Sequence, residues 1–265
     1  MSQFIYSQSM FGLIVVIVCI TMSTSLLILL FTVWLKRRFH TLRTLERDET
    51  FFNAAGLVFS LLLAFVTVSV WENYQETVTA VDSEARSLNN LRLDLDVLSK
   101  DKQQPLAESI NTYTHCVIDK EWPQMAGGRI GNECSQSLHE IAHLILTAEA
   151  HSESEKRVVD SLGGLLNVYR NHRMERLTAM IPALDKLMWW VLILSTVIYF
   201  FYGSLIDIGR LRPHSVLTLI LAMMIGLVYV LIAAYDLPFT RPLSLPPEAL
   251  QDLLQKWELQ GLPVN

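Results

Sequence analysis

Three groups of residues in this chain have the types and spacings that do chemistry. The first is His139-Glu140-Ile141-Ala142-His143, an H-E-x-x-H pattern in a stretch that reads as helix. Residues four apart share a helix face, so two imidazoles could hold one Zn²⁺ while the glutamate activates water. The neighbours Leu138, Leu144 and Ile145 are uncharged, as zinc peptidases prefer. A third ligand is missing at a familiar distance of about 20 residues, because position 163 is glycine. Glu153, Glu155, His172 and Glu175 remain, with no spacing that recommends them. A helix that simply exposes two histidines and a glutamate is the preferred reading. A membrane-anchored zinc peptidase stands as an alternative. No enzymatic activity, resident metal (His139 and His143 apart) or cofactor is expected. The second group is Arg170, Arg173 and Arg176, an i, i+3, i+6 row. It forms either an electropositive vestibule that concentrates anions at a pore mouth, or a solvated face, or a set of partners for Glu72, Glu76 and Glu84. The third group is Cys116 and Cys134, which flank a turn-rich stretch with Pro123, Gly127, Gly128 and Gly131. In an oxidising compartment the two could form a disulfide that contributes about 3 kcal/mol through loop closure. Two free thiols are the alternative.

The elements that carry these groups are set by four stretches without Asp, Glu, Lys or Arg: residues 13–35, 51–71, 187–206 and 215–235. Each can cross a bilayer, which takes about 20 apolar residues. They explain why 51% of the 265 residues are hydrophobic. The net charge of -5 offers nothing to nucleic acid. The expected fold is an all-α membrane protein with four transmembrane helices in a 2 + 2 arrangement and a helical domain inserted between spans 2 and 3. The expected division is span 1 with a basic loop (1–50), span 2 (51–71), an extramembrane helical domain (72–186), spans 3 and 4 (187–235) and a tail (236–265).

Orientation follows from lysine and arginine in short loops. Lys36, Arg37, Arg38, Arg43 and Arg47 lie between spans 1 and 2, and Arg210 and Arg212 between spans 3 and 4. The first ten residues carry no Lys or Arg, and the tail has only Arg241 near the membrane. The short loops are therefore expected in the cytosol, with the helical domain extracytoplasmic, in a bacterial inner or plasma membrane. Arg170, Arg173, Arg176 and Lys186 oppose this bias. The first apolar run is too long for the core of a signal peptide and lacks its basic flank, so it is expected to be a retained span.

An apolar stripe at spacings of three and four runs through Trp71, Tyr74, Val78, Val81, Ala85, Leu88, Leu91, Leu95 and Leu98. With no Pro or Gly between Gly56 and Lys100, span 2 is expected to continue into a stalk. The pattern predicts further helices from Pro105 to about Ile118, from Ser135 to Ala150, and from a Ser152/Glu155 capping box onward. Glu121-Trp122-Pro123 and the glycines read as a loop. In the tail, Leu250, Leu253, Leu254 and Trp257 make an amphipathic helix that either lies on the membrane or docks on the central domain.

The spans contain almost nothing ionisable, which argues against proton relays, voltage sensors and ion-coupled transporters. Pores lined by small, hydroxyl and apolar side chains remain open. Span 2 is the candidate, with Gly56, Ser60, Ala64 and Thr67 on one face and Phe59, Leu62, Val66 and Ser69 on another. Gly56, Phe59, Ser60, Leu63, Val66 and Thr67 are the pore-lining candidates. Close helix packing through small residues is the competing account.

Ala64-Phe65-Val66 leading to Trp71, then Glu84-Ala85 within 81–91, Tyr113, Glu121-Trp122-Pro123, Arg170 with Arg173, and Asp236-Leu237-Pro238-Phe239 occur in an order and spacing that resembles the bacterial bestrophin-like family of multi-pass membrane proteins. The resemblance covers about residues 51–254. It implies a relation to bestrophins, which are pentameric anion channels with four spans per subunit. The implied partners are membrane lipid, further copies of the chain in a homo-oligomer (a pentamer) and inorganic anions as permeants. Bestrophins place their helical domain in the cytosol, opposite to the side the loop charges imply here. A non-conducting sensor or scaffold that binds a partner through the helical domain is the other non-enzymatic reading.

Overall fold

The computed structural model describes residues 10–38, 49–131, 133–148, 152–206, 211–240 and 243–259. Among them there are helices and connecting segments and no strand. In chain order the helices are α1 (Met10–Arg38), α2 (Glu49–Leu93), α3 (Lys100–Cys116), α4 (Trp122–Ala126), α5 (Ser135–Leu146), α6 (Glu153–Thr178), α7 (Lys186–Leu205), α8 (Leu211–Tyr235) and α9 (Glu248–Leu259). Four helical stretches have the length and composition to cross a membrane: Met10–Arg38, Thr50–Val97, Lys186–Leu205 and Pro213–Tyr235. The chain divides into two compact units, and the boundary falls inside α2, between Tyr74 and Gln75.

The first unit holds α1, the first half of α2, α7 and α8. Its interior is built from Phe59, Leu63, Val66 and Val70 of α2 with Leu192 and Phe200 of α7 and Ala222, Ile225, Tyr229 and Ile232 of α8. Lipid tails are as apolar as leucine, so close fit must do what exclusion from water does elsewhere. Gly226 of α8 is one such point. A Cβ there would lie 3.2 Å from the Val18 backbone of α1 and would collide with the Thr21 hydroxyl. Aromatic rings supply another, with Tyr199 stacked against both Phe52 and Phe59. The few buried hydroxyls are satisfied locally: Thr196 donates to the Leu192 carbonyl at 2.8 Å and pairs with the Tyr229 hydroxyl at 2.6 Å. At the junction of α8 and α7, the Asp236 carboxylate accepts from the Leu184 N–H at 2.8 Å and the Trp189 indole at 3.4 Å.

The second unit holds the rest of α2, α3 to α6 and α9. Its core joins Val81, Leu88, Leu91 and Leu95 to Leu106 and Ile110 of α3, Ile141 and Ile145 of α5, Leu162, Leu166 and Tyr169 of α6, and Leu250 and Trp257 of α9. The tail helix thus docks on the helical domain: Leu250, Leu253, Leu254 and Trp257 are all buried. Two expected boundaries are corrected. α3 begins at Lys100, not at Pro105, and encloses the proline. Pro105 is the sixth residue, so the helix forgoes one N–H···O bond there, and the Ser99 carbonyl accepts from the Lys102 and Gln103 N–H groups to close the first turn ahead of it. The Glu121-Trp122-Pro123 corner is helical, not a loop: a π-helical turn, Val117–Glu121, leads directly into α4 with Pro123 in its first turn. The true turn follows at Gly127 and Gly128, the latter with φ 72°. α6 opens as anticipated, with the Ser152 hydroxyl accepting from the Glu155 N–H at 3.1 Å.

Candidate functional site

α2 is the element on which a pore reading depends, and its side chains sort into distinct faces. Phe59, Leu63, Val66 and Val70 recur at spacings of four, three and four and are buried in the first unit. Gly56 lies at the edge of that face, where an added Cβ would meet the Tyr199 ring at 3.2 Å. These positions are therefore filled by packing within the chain itself. Of the lining candidates, Phe59, Leu63 and Val66 are thus core side chains of the first unit, and Gly56 allows the close approach of Tyr199. The remaining candidates sit elsewhere on the helix. Ser60 is exposed and donates to the Leu57 carbonyl at 2.9 Å, and Ala64 beside it is exposed. Thr67 is half-buried and donates to the Leu63 carbonyl at 2.7 Å. Around the helix from this small-residue flank come Leu57, Leu61, Val68 and Phe65, the last 72% exposed.

The helical domain contains a second arrangement, built from charge. Arg176 is fully buried, with its Nε 2.5 Å from Glu84 and its Nη2 2.6 Å from Glu121. Arg173 donates to the other Glu121 oxygen at 2.8 Å. Two cations thus face two carboxylates, and the cluster is neutral as a whole. The phenols complete it: the Tyr169 hydroxyl lies 3.0 Å from Glu84 and 2.7 Å from the Tyr113 hydroxyl. Arg176 also lies over the Trp122 ring at 4.9 Å and reaches the Met125 sulfur at 2.8 Å. Burial favours loss of the Arg176 proton, but Glu84 and then Glu121 more than offset this and hold the guanidinium above its ordinary range. Burial, reinforced by the Glu84 charge, raises the Tyr113 phenol. Burial raises Tyr169 as well, with Tyr113 and Glu84 adding to it.

The arginine row is consequently not one electropositive surface. A three-residue step turns a helix through about 300°, so Arg170 stands well round from Arg176. Arg170 is exposed, whereas Arg173 and Arg176 are buried against acids. Among the acidic partners considered for the row, Glu84 is the one engaged, and Glu72 and Glu76 are exposed. Sequence reasoning passed over Glu121 as a partner. A signal existed: Arg173 and Arg176 extend the apolar spacing of Leu162, Leu166 and Tyr169, and Glu84 falls between Val81 and Leu88 on the buried face of α2. A charge set inside an apolar stripe announces a buried partner.

Cys116 and Cys134 are joined by a disulfide. His139, Glu140 and His143 all sit on the exposed face of α5, while Leu138, Ile141, Ala142 and Ile145 face the core. Among the described residues no three metal-ligating side chains converge. The loop residues Arg43, Arg47, Asp207, Arg210 and Arg241 lie outside the described residues.

The sequence matches the Bestrophin-like domain family over residues 14–250. The chain belongs to the Bestrophin-like family. No curated protein sequence matches it. In fold, this family member is similar to crystal structures of point variants of a bacterial Bestrophin homolog from Klebsiella pneumoniae. One aligns with a TM-score of 0.68 at 11% identity, covering 94% of this chain and 99% of the other. A second aligns with a TM-score of 0.63 at 13% identity, covering 96% and 99%. Identities this low speak for the fold alone.

Proposed function

We propose that this Bestrophin-like chain is the subunit of an oligomeric channel for inorganic anions, of the pentameric kind its family resemblance implies, with the membrane half of α2 lining the pore. The observation that carries the reading is the division of α2: one face is consumed by the subunit's own core, and a neighbouring flank of small and hydroxyl side chains, Ser60 and Ala64 with Thr67 at its margin, is left uncovered. Small, weakly polar linings suit conduction with gating by wetting and dewetting. Residues 13–35, 51–71, 187–206 and 215–235 hold no Asp, Glu, Lys or Arg, which suits a passive pore better than a coupled transporter. We place the four helices in a 2 + 2 arrangement, with the short basic loops in the cytosol and the helical domain outside it. The Cys116–Cys134 bridge supports that side, since disulfides persist where the surroundings are oxidising. Arg170, the exposed member of its row, is the vestibule residue in this arrangement.

Liposomes holding the purified protein and an anion-sensitive dye test the reading. Expected is anion flux above that of empty liposomes, cut at least tenfold by Ser60→Phe or Ala64→Phe. Phe59→Ala should instead lower the melting temperature. Absence of flux from pure, monodisperse protein would refute conduction.

A further inference from the structure

The first unit carries a groove between α1 and α8 that neither its core nor the proposed pore uses. It has a volume of about 390 Å³ and is lined by Leu26, Leu30, Val33, Trp34 and Arg37 of α1 and by Ser215 of α8. Its polarity is graded along one direction. Leu26, Leu30 and Val33 form the apolar part, Trp34 follows and is 57% exposed, and Arg37 closes the end beside Ser215. No acidic side chain is among the described lining residues. Arg37 is exposed at this end and supplies its charge, while the neighbouring Lys36 donates to the Ser204 carbonyl of α7 at 3.2 Å.

The dimensions match half a bilayer. From Leu26 to Arg37 the helix rises about 16 Å at 1.5 Å per residue, and one leaflet of hydrocarbon is about 15 Å deep. A tryptophan followed by arginine at the end of an apolar span marks the level of the lipid headgroups. The apolar wall therefore has the depth of one acyl chain, and the guanidinium stands where a lipid phosphate would be.

We infer that this groove is a binding site for an anionic phospholipid, with one acyl chain along Leu26, Leu30 and Val33 and the headgroup phosphate at Arg37. Charge complementarity selects the occupant. A neutral surface would serve for any lipid tail, but a cationic end prefers a headgroup with net negative charge. The inference rests on the membrane placement of α1 and is independent of conduction, so a protein that passes no anions could still hold the lipid.

The full chain in phosphatidylcholine vesicles, doped with a minor fraction of lipid brominated in its chains, provides the test. The Trp34 contribution is the difference in fluorescence quenching between the wild type and Trp34→Phe. Brominated phosphatidylglycerol should quench Trp34 about fivefold more effectively than brominated phosphatidylcholine, the factor expected of one cation near a lipid surface. Arg37→Gln should bring the ratio to about one, and Arg37→Lys should keep most of it. Equal quenching by the two lipids, or a preference untouched by Arg37→Gln, overturns the inference. So does quenching by neither lipid, the result if a second copy of the chain covers the groove. Loss of the preference on adding inorganic phosphate at constant ionic strength also overturns it, because the site would then be one for the free anion.

Discussion

The two units of this protein solve the problem of a unique interior in opposite ways. Among the described residues the core of the membrane-type unit is apolar and relies on fit: Gly226 against Val18, Gly56 against Tyr199, and hydroxyls returned to their own helix. The helical domain has a large apolar core with the Glu84, Glu121, Arg173 and Arg176 cluster sunk into it, Arg92 buried as well, and a covalent bridge. The difference follows from the solvent. In water, apolar burial favours many compact arrangements, and a buried charge must find its opposite or cost several kcal/mol. In lipid that collapse is absent, and a charge has no way to be neutralised except by another costly group. Specificity comes from charge in one unit and from shape in the other.

The largest effect should come from breaking the charged half of the comparison. Arg176→Met strands Glu84 in the core without a cation, leaves Glu121 with Arg173 alone, and should destabilise the helical domain by about 3–5 kcal/mol. Thermal unfolding of the detergent-solubilised protein followed by circular dichroism measures it. The combined variant Glu84→Gln, Arg176→Met, which keeps the Arg173–Glu121 pair, should recover part of that loss. If the single variant melts like the wild type, the cluster contributes no more than a surface ion pair.

Removing the bridge comes next. The cysteines are 18 residues apart, and Cys116→Ser with Cys134→Ser should cost about 3 kcal/mol. The same downward shift should appear when the wild type is melted with reductant and should be absent in the double variant. On the shape side, Gly226→Leu should cost about 1–3 kcal/mol, read as earlier thermal aggregation of the detergent particle, with Gly226→Ala milder.

The smallest effect concerns alkaline pH. Burial holds both Tyr113 and Tyr169 above the ordinary phenol range. The unfolded chain therefore loses these protons first. Their contribution is complete below pH about 10 and declines as pH rises past it. Tyr113→Phe with Tyr169→Phe should flatten the alkaline decline in melting temperature while lowering stability by about 1–3 kcal/mol at neutral pH, since Glu84 loses a donor. An alkaline limb of unchanged steepness would locate the pH sensitivity elsewhere.

Legibility in the sequence was uneven for physical reasons. The uncharged runs declare four membrane-length helices because hydropathy is additive along a chain. The continuity of span 2 into its stalk was readable because no Gly or Pro interrupts residues 57–99. The docking of α9 was half readable: the stripe Leu250, Leu253, Leu254 and Trp257 showed an apolar face, and the face it meets is supplied by distant parts of the chain. The H-E-x-x-H pattern was legible as an exposed helix face, because the same spacing that places His139 and His143 together sets them opposite Leu138, Ile141, Ala142 and Ile145.

By itself, then, the amino-acid order determined what acts locally: helix type, helix length, amphipathic faces, a cap at Ser152 and the pairing potential of two cysteines. Only tertiary structure decided that Arg176 meets Glu84 across 92 positions of the chain, that Phe59 and Val66 are buried in the chain's own interior, and that Ser60 and Ala64 are left exposed. Periodicity can say that a residue lies on a face. Which partner occupies that face depends on chain segments far away in sequence, and no local pattern records their approach.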